Sequence, residues 1–326
     1  MPSLSMRLTA WGARRLVKSA LEAPTCDLAL IRRRMGIRRW LPSVLPSGLT
    51  VTPTTLGGVR CDWLTPRGAR TDRAIVYFHG GGYIGGSARS MRALAAWVAA
   101  AARTPVCAVE YRLAPEHPFP AAFDDAMAVY GAVLAAGIAP ARLGLLGDSA
   151  GGGLAVAAML AARDRGVPLP AAAALISPWL DLTAAGGSRE ANAATDDVLA
   201  LRHGATLVAA YAGTHDPAHP YLSPLRGDLR GLPPMLVQVS TSEILLDDAV
   251  GLEAQGRAAG VEVTCDRWEG LPHDWQAAVP FAPEARVAVR ALGAFLDTRF
   301  GSPTSGVGKP SGGGSVGDAQ RPRPYR

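Results

Sequence analysis

From about residue 49 onward, apolar runs alternate with amphipathic stretches. Residues 49–54 and 59–64 have the pattern of short strands, separated by the turn signal Gly57-Gly58. Residues 74–78 (AIVYF) form a continuous apolar run, as expected of a strand covered on both faces. The same reading predicts strands over 106–110, 143–146, 172–176, 235–239 and 261–267. Between them, helical patterns cover 90–102, 119–136, 150–164, 247–259 and 283–300. Strands that alternate with helices predict a mostly parallel central sheet with helices on both faces. Residues 180–230 break this rhythm, being polar, proline-punctuated and only partly helical. They predict an insertion over the carboxyl edge of the sheet.

Ahead of this pattern, residues 6–21 space Met6, Trp11, Leu16, Val17 and Leu21 as a helix does, with basic residues between them, and 26–36 suggests a second helix. A basic amphipathic helix could lie on a membrane surface. The favoured expectation is a helix packed over the body of the protein. Residues 301–326 are rich in Gly, Ser and Pro and are expected to be a disordered tail.

Composition narrows the function classes. The 326 residues are 48% hydrophobic and 18% charged, enough to bury a large core, and the net charge of +6 is mostly arginine concentrated near the two ends. No basic stripe is interleaved with aromatics, so no nucleic-acid partner is expected. Cys26, Cys61, Cys107 and Cys265 are far apart, which excludes a CxxC redox pair or zinc knuckle. The early arginines interrupt any signal-peptide core, and no stretch has membrane-spanning character. A cytoplasmic location is the expectation, with no metal and no cofactor.

The chemistry concentrates in a few places. Gly147-Asp148-Ser149-Ala150-Gly151-Gly152 contains G-x-S-x-G between a predicted strand and a predicted helix. In that context the serine sits on a sharp turn, its flanking residues must be small, and its hydroxyl is lifted above the sheet edge near a helix N-terminus. Ser149 is therefore the candidate nucleophile. His79-Gly80-Gly81-Gly82 closes the 74–78 strand, and consecutive glycines let backbone N–H groups converge on a developing oxyanion. A serine hydroxyl needs a base, and the base needs an orienting carboxylate. With the order serine, acid, histidine, His79 and His117 come too early. His203, His215 and His219 fall in the insertion, with no acid-bearing strand end before them. His273, after the 261–267 strand, is the candidate base. Glu243 is the first carboxylate past the 235–239 strand and the candidate acid, with Asp247 held in reserve.

With these residues in view, the chain resembles the hormone-sensitive-lipase-like esterases, the bacterial family IV lipolytic enzymes of the α/β-hydrolase fold. HGGG at 79–82, YRLAPEHPFPAA at 111–122, GDSAGG at 147–152, EILLDD at 243–248 and PHDW at 272–275 occur in the family's order across roughly 45–300. The resemblance implies an oxyanion hole from the N–H groups of Gly81, Gly82 and Ala150. It implies that His79 braces that loop beside Gly80 and Asp148. It also implies ion pairing among Arg112, Glu116 and Asp124 or Asp125, and a helical cap built from 1–45 and about 180–230 over a catalytic domain of 46–300. The family's acid is most often Asp, whereas Glu243 stands here. EILLDD and PHDW are similar to members described as monoterpene ε-lactone hydrolases.

The expected activity is hydrolysis of short to medium acyl esters through an acyl-enzyme, with a small apolar pocket for the acyl chain. Alternatives are a lactone hydrolase or amidase using the same residues, and a non-catalytic small-molecule receptor on the same fold. Such receptors lose the histidine, which is present here. Membrane association is possible but not favoured.

Overall fold

The computed structural model describes residues 1–36 and 43–301. Residues 302–326 of the expected tail, and residues 37–42 of the expected N-terminal cap segment, lie outside the described residues.

In chain order the elements begin with helix α1 (Leu4–Ala13), a π-helical turn (Arg14–Lys18), α2 (Ser19–Leu21) and α3 (Leu28–Met35). Then come β1 (Thr50–Leu56), β2 (Val59–Thr65), β3 (Ala74–Phe78), α4 (Arg92–Ala102), β4 (Val106–Val109), α5 (Ala121–Ala135), β5 (Leu143–Asp148), α6 (Ala150–Asp164) and β6 (Ala172–Ile176). The interrupted region holds two helices, α7 (Ser188–Ala191) and α8 (Gly204–Ala212). The chain resumes with β7 (Met235–Ser240), α9 (Leu246–Ala258), β8 (Val263–Trp268) and α10 (Pro283–Arg299).

The eight strands form one sheet in the order β1-β2-β4-β3-β5-β6-β7-β8. The β1–β2 and β2–β4 pairs are antiparallel and all others are parallel. This is the α/β-hydrolase fold, with helices on both faces. The two faces follow from the period-two alternation of strand side chains. Val76, Phe78, Cys107 and Val109 point into one core with α5, α6 and α9. Ile75, Tyr77, Val106 and Ala108 point into the other with α4 and α10. Because both faces are covered, β3 to β7 carry no polar alternation, and each fully buried Ile, Val or Leu contributes about 1.5–3 kcal/mol.

Element edges depart from the sequence pattern for local reasons. β5 runs on to Asp148 because Gly147 still pairs with Phe78 and Leu175. β8 starts at Val263 because the Val261 N–H closes the end of α9 on Gly256 O at 2.8 Å. The expected helix over 6–21 is present as one continuous helical run from Leu4 to Leu21, whose middle segment Arg14–Lys18 is π-helical.

Candidate active site

The carboxyl ends of the parallel strands deliver the candidate residues, as open α/β sheets do with their ligand crevices. Ser149 follows β5 directly, with φ +51° and ψ −121°, a backbone region that strains a residue bearing a Cβ. Neighbours hold it there. The Ser149 N–H donates to Ile176 O at 2.8 Å, and its carbonyl accepts from Trp179 N at 2.9 Å and Gly152 N at 3.0 Å. Only glycine fits at 151, where a Cβ would overlap the carbonyl of Phe78. The tightness of the bend is thus set by how closely α6 approaches β3.

The glycine loop after β3 forms the opposite wall. Gly81 has φ +125°, and its carbonyl accepts from Ile84 N and Gly85 N, curling residues 79–86 into a compact turn. His79 beneath the loop is fully buried, and burial pushes its imidazole down to about 4. It stacks on Tyr111 with ring centroids 4.2 Å apart, its Nδ1 lies 2.8 Å from Gly80 O, and the Tyr111 hydroxyl donates to its carbonyl at 2.6 Å. Asp148 accepts from the Tyr77 hydroxyl and, at 2.9 Å, from Gly80 N, so it ties the glycine loop to the serine turn. Burial pushes Asp148 up to about 6, against the pull of these donors.

Past β7, Glu243 is buried. Its Oε1 accepts from the Ser240 amide at 2.7 Å and the Ser177 hydroxyl at 2.8 Å, while Oε2 lies 2.5 Å from His273 Nδ1. Asp247, held in reserve at the sequence level, points elsewhere. It accepts from Ser188 N at 2.8 Å, and its own amide donates to the Ser188 hydroxyl. Asp248 is buried against Arg189 at 3.0 Å and caps the amides of Leu180 and Asp181.

Ser149, Gly80, Gly81, Gly82 and His273 line one cavity of about 1000 Å³. Its remaining walls are mostly apolar and come from α1 and the π turn (Leu8, Leu16, Val17), from 198–213, and from Phe281. This is the volume of the whole cavity, of which the expected acyl pocket would be one part. The sequence pattern identified which segments would be near the site, but not how far above the sheet they stand. Ala150, at the first position of α6, is fully buried behind Ser149. The Arg112–Asp125 pair expected from the 111–122 motif is present at 2.7 Å, whereas Glu116 pairs with Arg32 of α3 at 2.6 Å.

Two carboxylates at the site were not singled out by the sequence reading. Asp196, in the interrupted region, accepts from the amides of Val198, Leu199 and Ile244, so it anchors the segment that carries Glu243. Asp274, adjacent to His273, has Oδ2 at 3.3 Å from His273 Nε2. Burial disfavours a charged His273, but Asp274 and Glu243 outweigh this and push its imidazole up to about 10. The motif PHDW contained Asp274 all along; nothing in spacing alone says which ring nitrogen it meets. Among the described residues, no group of three or more His, Cys, Asp or Glu is placed to hold a metal ion, and no helix is long and apolar enough to cross a membrane.

With this geometry in place, the comparisons with known proteins are decisive. Residues 75–277 match a family described as having the alpha/beta hydrolase fold. The chain belongs to that family. An acetyl-hydrolase of Streptomyces hygroscopicus is 46% identical over 248 residues, covering 76% of this chain and 82% of the relative. An esterase of Acinetobacter venetianus is 36% identical over 247 residues, covering 75% and 81%. Among solved structures, an esterase of the bacterial hormone-sensitive lipase family superposes with a TM-score of 0.86 at 39% identity, covering 92% of this chain and 100% of that one. A hormone-sensitive lipase from a metagenome library gives 0.80 at 35% identity, covering 88% and 97%. This member of the α/β-hydrolase family is a carboxylesterase of the hormone-sensitive-lipase-like group.

Proposed function

We propose that this esterase works by a Ser149–His273–Glu243 triad through an acyl-enzyme intermediate. One observation carries the reading: His273 binds Glu243 through Nδ1 at 2.5 Å, while Nε2 has no hydrogen-bond partner and the ring lines the cavity that Ser149 also lines. Nε2 takes the Ser149 proton as Oγ forms a bond to the ester carbonyl carbon. The oxyanion is held by the N–H groups of Gly81, Gly82 and Ala150, supported by the curled 79–86 turn and the start of α6. Collapse breaks the bond to the alcohol oxygen, which leaves with the proton from Nε2. Water then repeats the sequence on the acyl-enzyme, releasing the acid and restoring Ser149. Glu243 fixes the imidazole tautomer and stabilises the imidazolium. His79, Gly80 and Asp148 position the oxyanion loop.

The described part of 1–45, together with about 180–230, acts as a cap over this site, and 46–300 is the catalytic domain. The substrates are esters of short to medium acyl chains, a reading supported by the acetyl-hydrolase name of one relative. The large apolar cavity leaves room for a bulky apolar group on the alcohol side. No cofactor or metal takes part in these steps.

Labelling with a fluorophosphonate followed by mass spectrometry tests the nucleophile. The adduct is expected on the peptide bearing Ser149, and Ser149→Ala should lose both label and turnover. A label on another serine, or full activity in Ser149→Ala, refutes the assignment.

A further inference from the structure

His273 lies between two carboxylates, and the second is not needed by the reaction just described. Asp274 has a left-handed backbone, φ +56° and ψ +37°, at the start of the turn Trp275–Ala278. That conformation is uncommon for a residue with a side chain, and it places Oδ2 at 3.3 Å from Nε2. The side chain is 18% exposed and lines the catalytic cavity, yet its Oδ1 is buried without a hydrogen-bond partner. The titratable groups facing it are His273, Asp148 at the end of β5, Glu243 after β7, Asp196 from the interrupted region, and Tyr77 of β3. Asp148, Glu243 and Asp196 are each tied by the amide and hydroxyl donors described above. Among the described residues, the His273 imidazole is the cationic group that Asp274 faces.

We propose that Asp274 is a positioning residue that competes with Ser149 Oγ for His273 Nε2, so that it holds the imidazole protonated in the resting enzyme and sets the pH at which activity appears. This rests on His273 being the base. In the resting state both ring nitrogens carry protons: Nδ1–H is hydrogen-bonded to Glu243, and Nε2–H, which makes no hydrogen bond, is held by charge 3.3 Å from the Asp274 carboxylate. As the pH rises the Nε2 proton is lost to water through the cavity, and the freed lone pair can then accept the Ser149 proton. The sign follows directly. A nearby carboxylate favours the cation, so it moves the acid limb of the pH profile toward alkaline pH. Burial drives Asp274 itself well above the usual carboxylate range and the His273 cation opposes that, so the pair binds protons jointly.

The test is the pH dependence of kcat/KM on a p-nitrophenyl ester for the full chain, Asp274→Asn and Asp274→Gly. Both replacements tolerate a positive φ. The acid limb is expected to move at least one pH unit lower in both variants, which raises activity about tenfold on the steep limb, since one unit is a factor of ten. Limbs that stay within about 0.3 unit of the parent overturn the proposal. Should turnover be too low to profile, NMR of 15N-histidine-labelled protein decides instead. A doubly protonated His273 ring at pH 7 that titrates lower in Asp274→Asn supports the proposal, and a neutral ring in the parent overturns it. His273→Asn separates the two failures. If that variant keeps activity, the triad itself is wrong. If it is inactive while the Asp274 limbs do not move, only the role of Asp274 falls.

Discussion

The floor and the roof of the cavity are built on different principles. The floor consists of the serine turn, the glycine loop and the residues after β7 and β8. There the backbone itself is the device: a strained Ser149, a carbonyl of Phe78 that excludes any Cβ at 151, and carboxylates whose oxygens accept from main-chain amides. The roof, from α1 to α3 and the interrupted region, presents Leu8, Trp11, Leu16 and Leu201 to solvent or to the cavity. A few polar pins hold its parts together and to the floor. Lys18 Nζ donates to Ala193 O and Asp196 O, Arg32 reaches Ile84 O, Ala114 O and Glu116, and Arg189 pairs with Asp248. The difference teaches that chemistry demands positions fixed by short covalent geometry, whereas selection of what enters can be left to side chains on helices packed above it.

Variants can break this contrast. The largest effect belongs to the floor: Ser149→Ala should lower kcat by about 10⁴-fold or more while thermal unfolding stays near that of the parent. Steady-state kinetics beside a melting curve would check both halves, and a large loss of stability would mean that Ser149 is structural. Next, Glu243→Gln should cost about 10³–10⁴-fold in kcat, because the imidazole loses the charge that stabilises its cation, whereas Asp247→Asn should cost less than about tenfold. The reverse ranking would move the acid to Asp247.

The pins come third. Arg189→Met strands the buried Asp248 carboxylate and should cost about 3–5 kcal/mol in urea unfolding. An unchanged midpoint would show that the amides of Leu180 and Asp181 suffice for Asp248. The smallest effect is expected at Arg32→Met. Its ion pair with Glu116 is largely solvent-exposed, and such pairs contribute about 0–1 kcal/mol, so stability should hardly change while KM rises a few-fold as the roof loosens over Ile84. A KM identical to the parent's would mean that this pin has no bearing on substrate entry.

Much of the floor was legible before any coordinates. The strand at 74–78 ends in HGGG, and the strand at 143–146 ends in GDSAGG; both are consequences of neighbouring residues, which is why the pattern located them. The N-terminal part of the roof was legible as helical spacing over 6–21 and 26–36, the rest only as a break in rhythm over 180–230. Its helices α7 and α8 are short, and α8 shows no strong apolar stripe of its own, since its buried positions depend on what lies beneath. Asp196 carried no motif, because its partners, Val198, Leu199 and Ile244, are backbone amides that any residue could supply.

What the amino-acid order determined alone is whatever a strand, a tight bend and the next helix decide among themselves: the alternation that makes a doubly covered sheet, the bend at Ser149, and the glycine run after β3. What tertiary structure alone decided is which groups meet across distant segments. Glu243 rather than Asp247 reaches Nδ1, Asp274 reaches Nε2, and the roof encloses about 1000 Å³. The physical reason is that local geometry is settled by bonds and sterics over a few residues. The meeting of side chains 30 residues apart, as for Glu243 and His273, depends instead on how whole helices and strands pack.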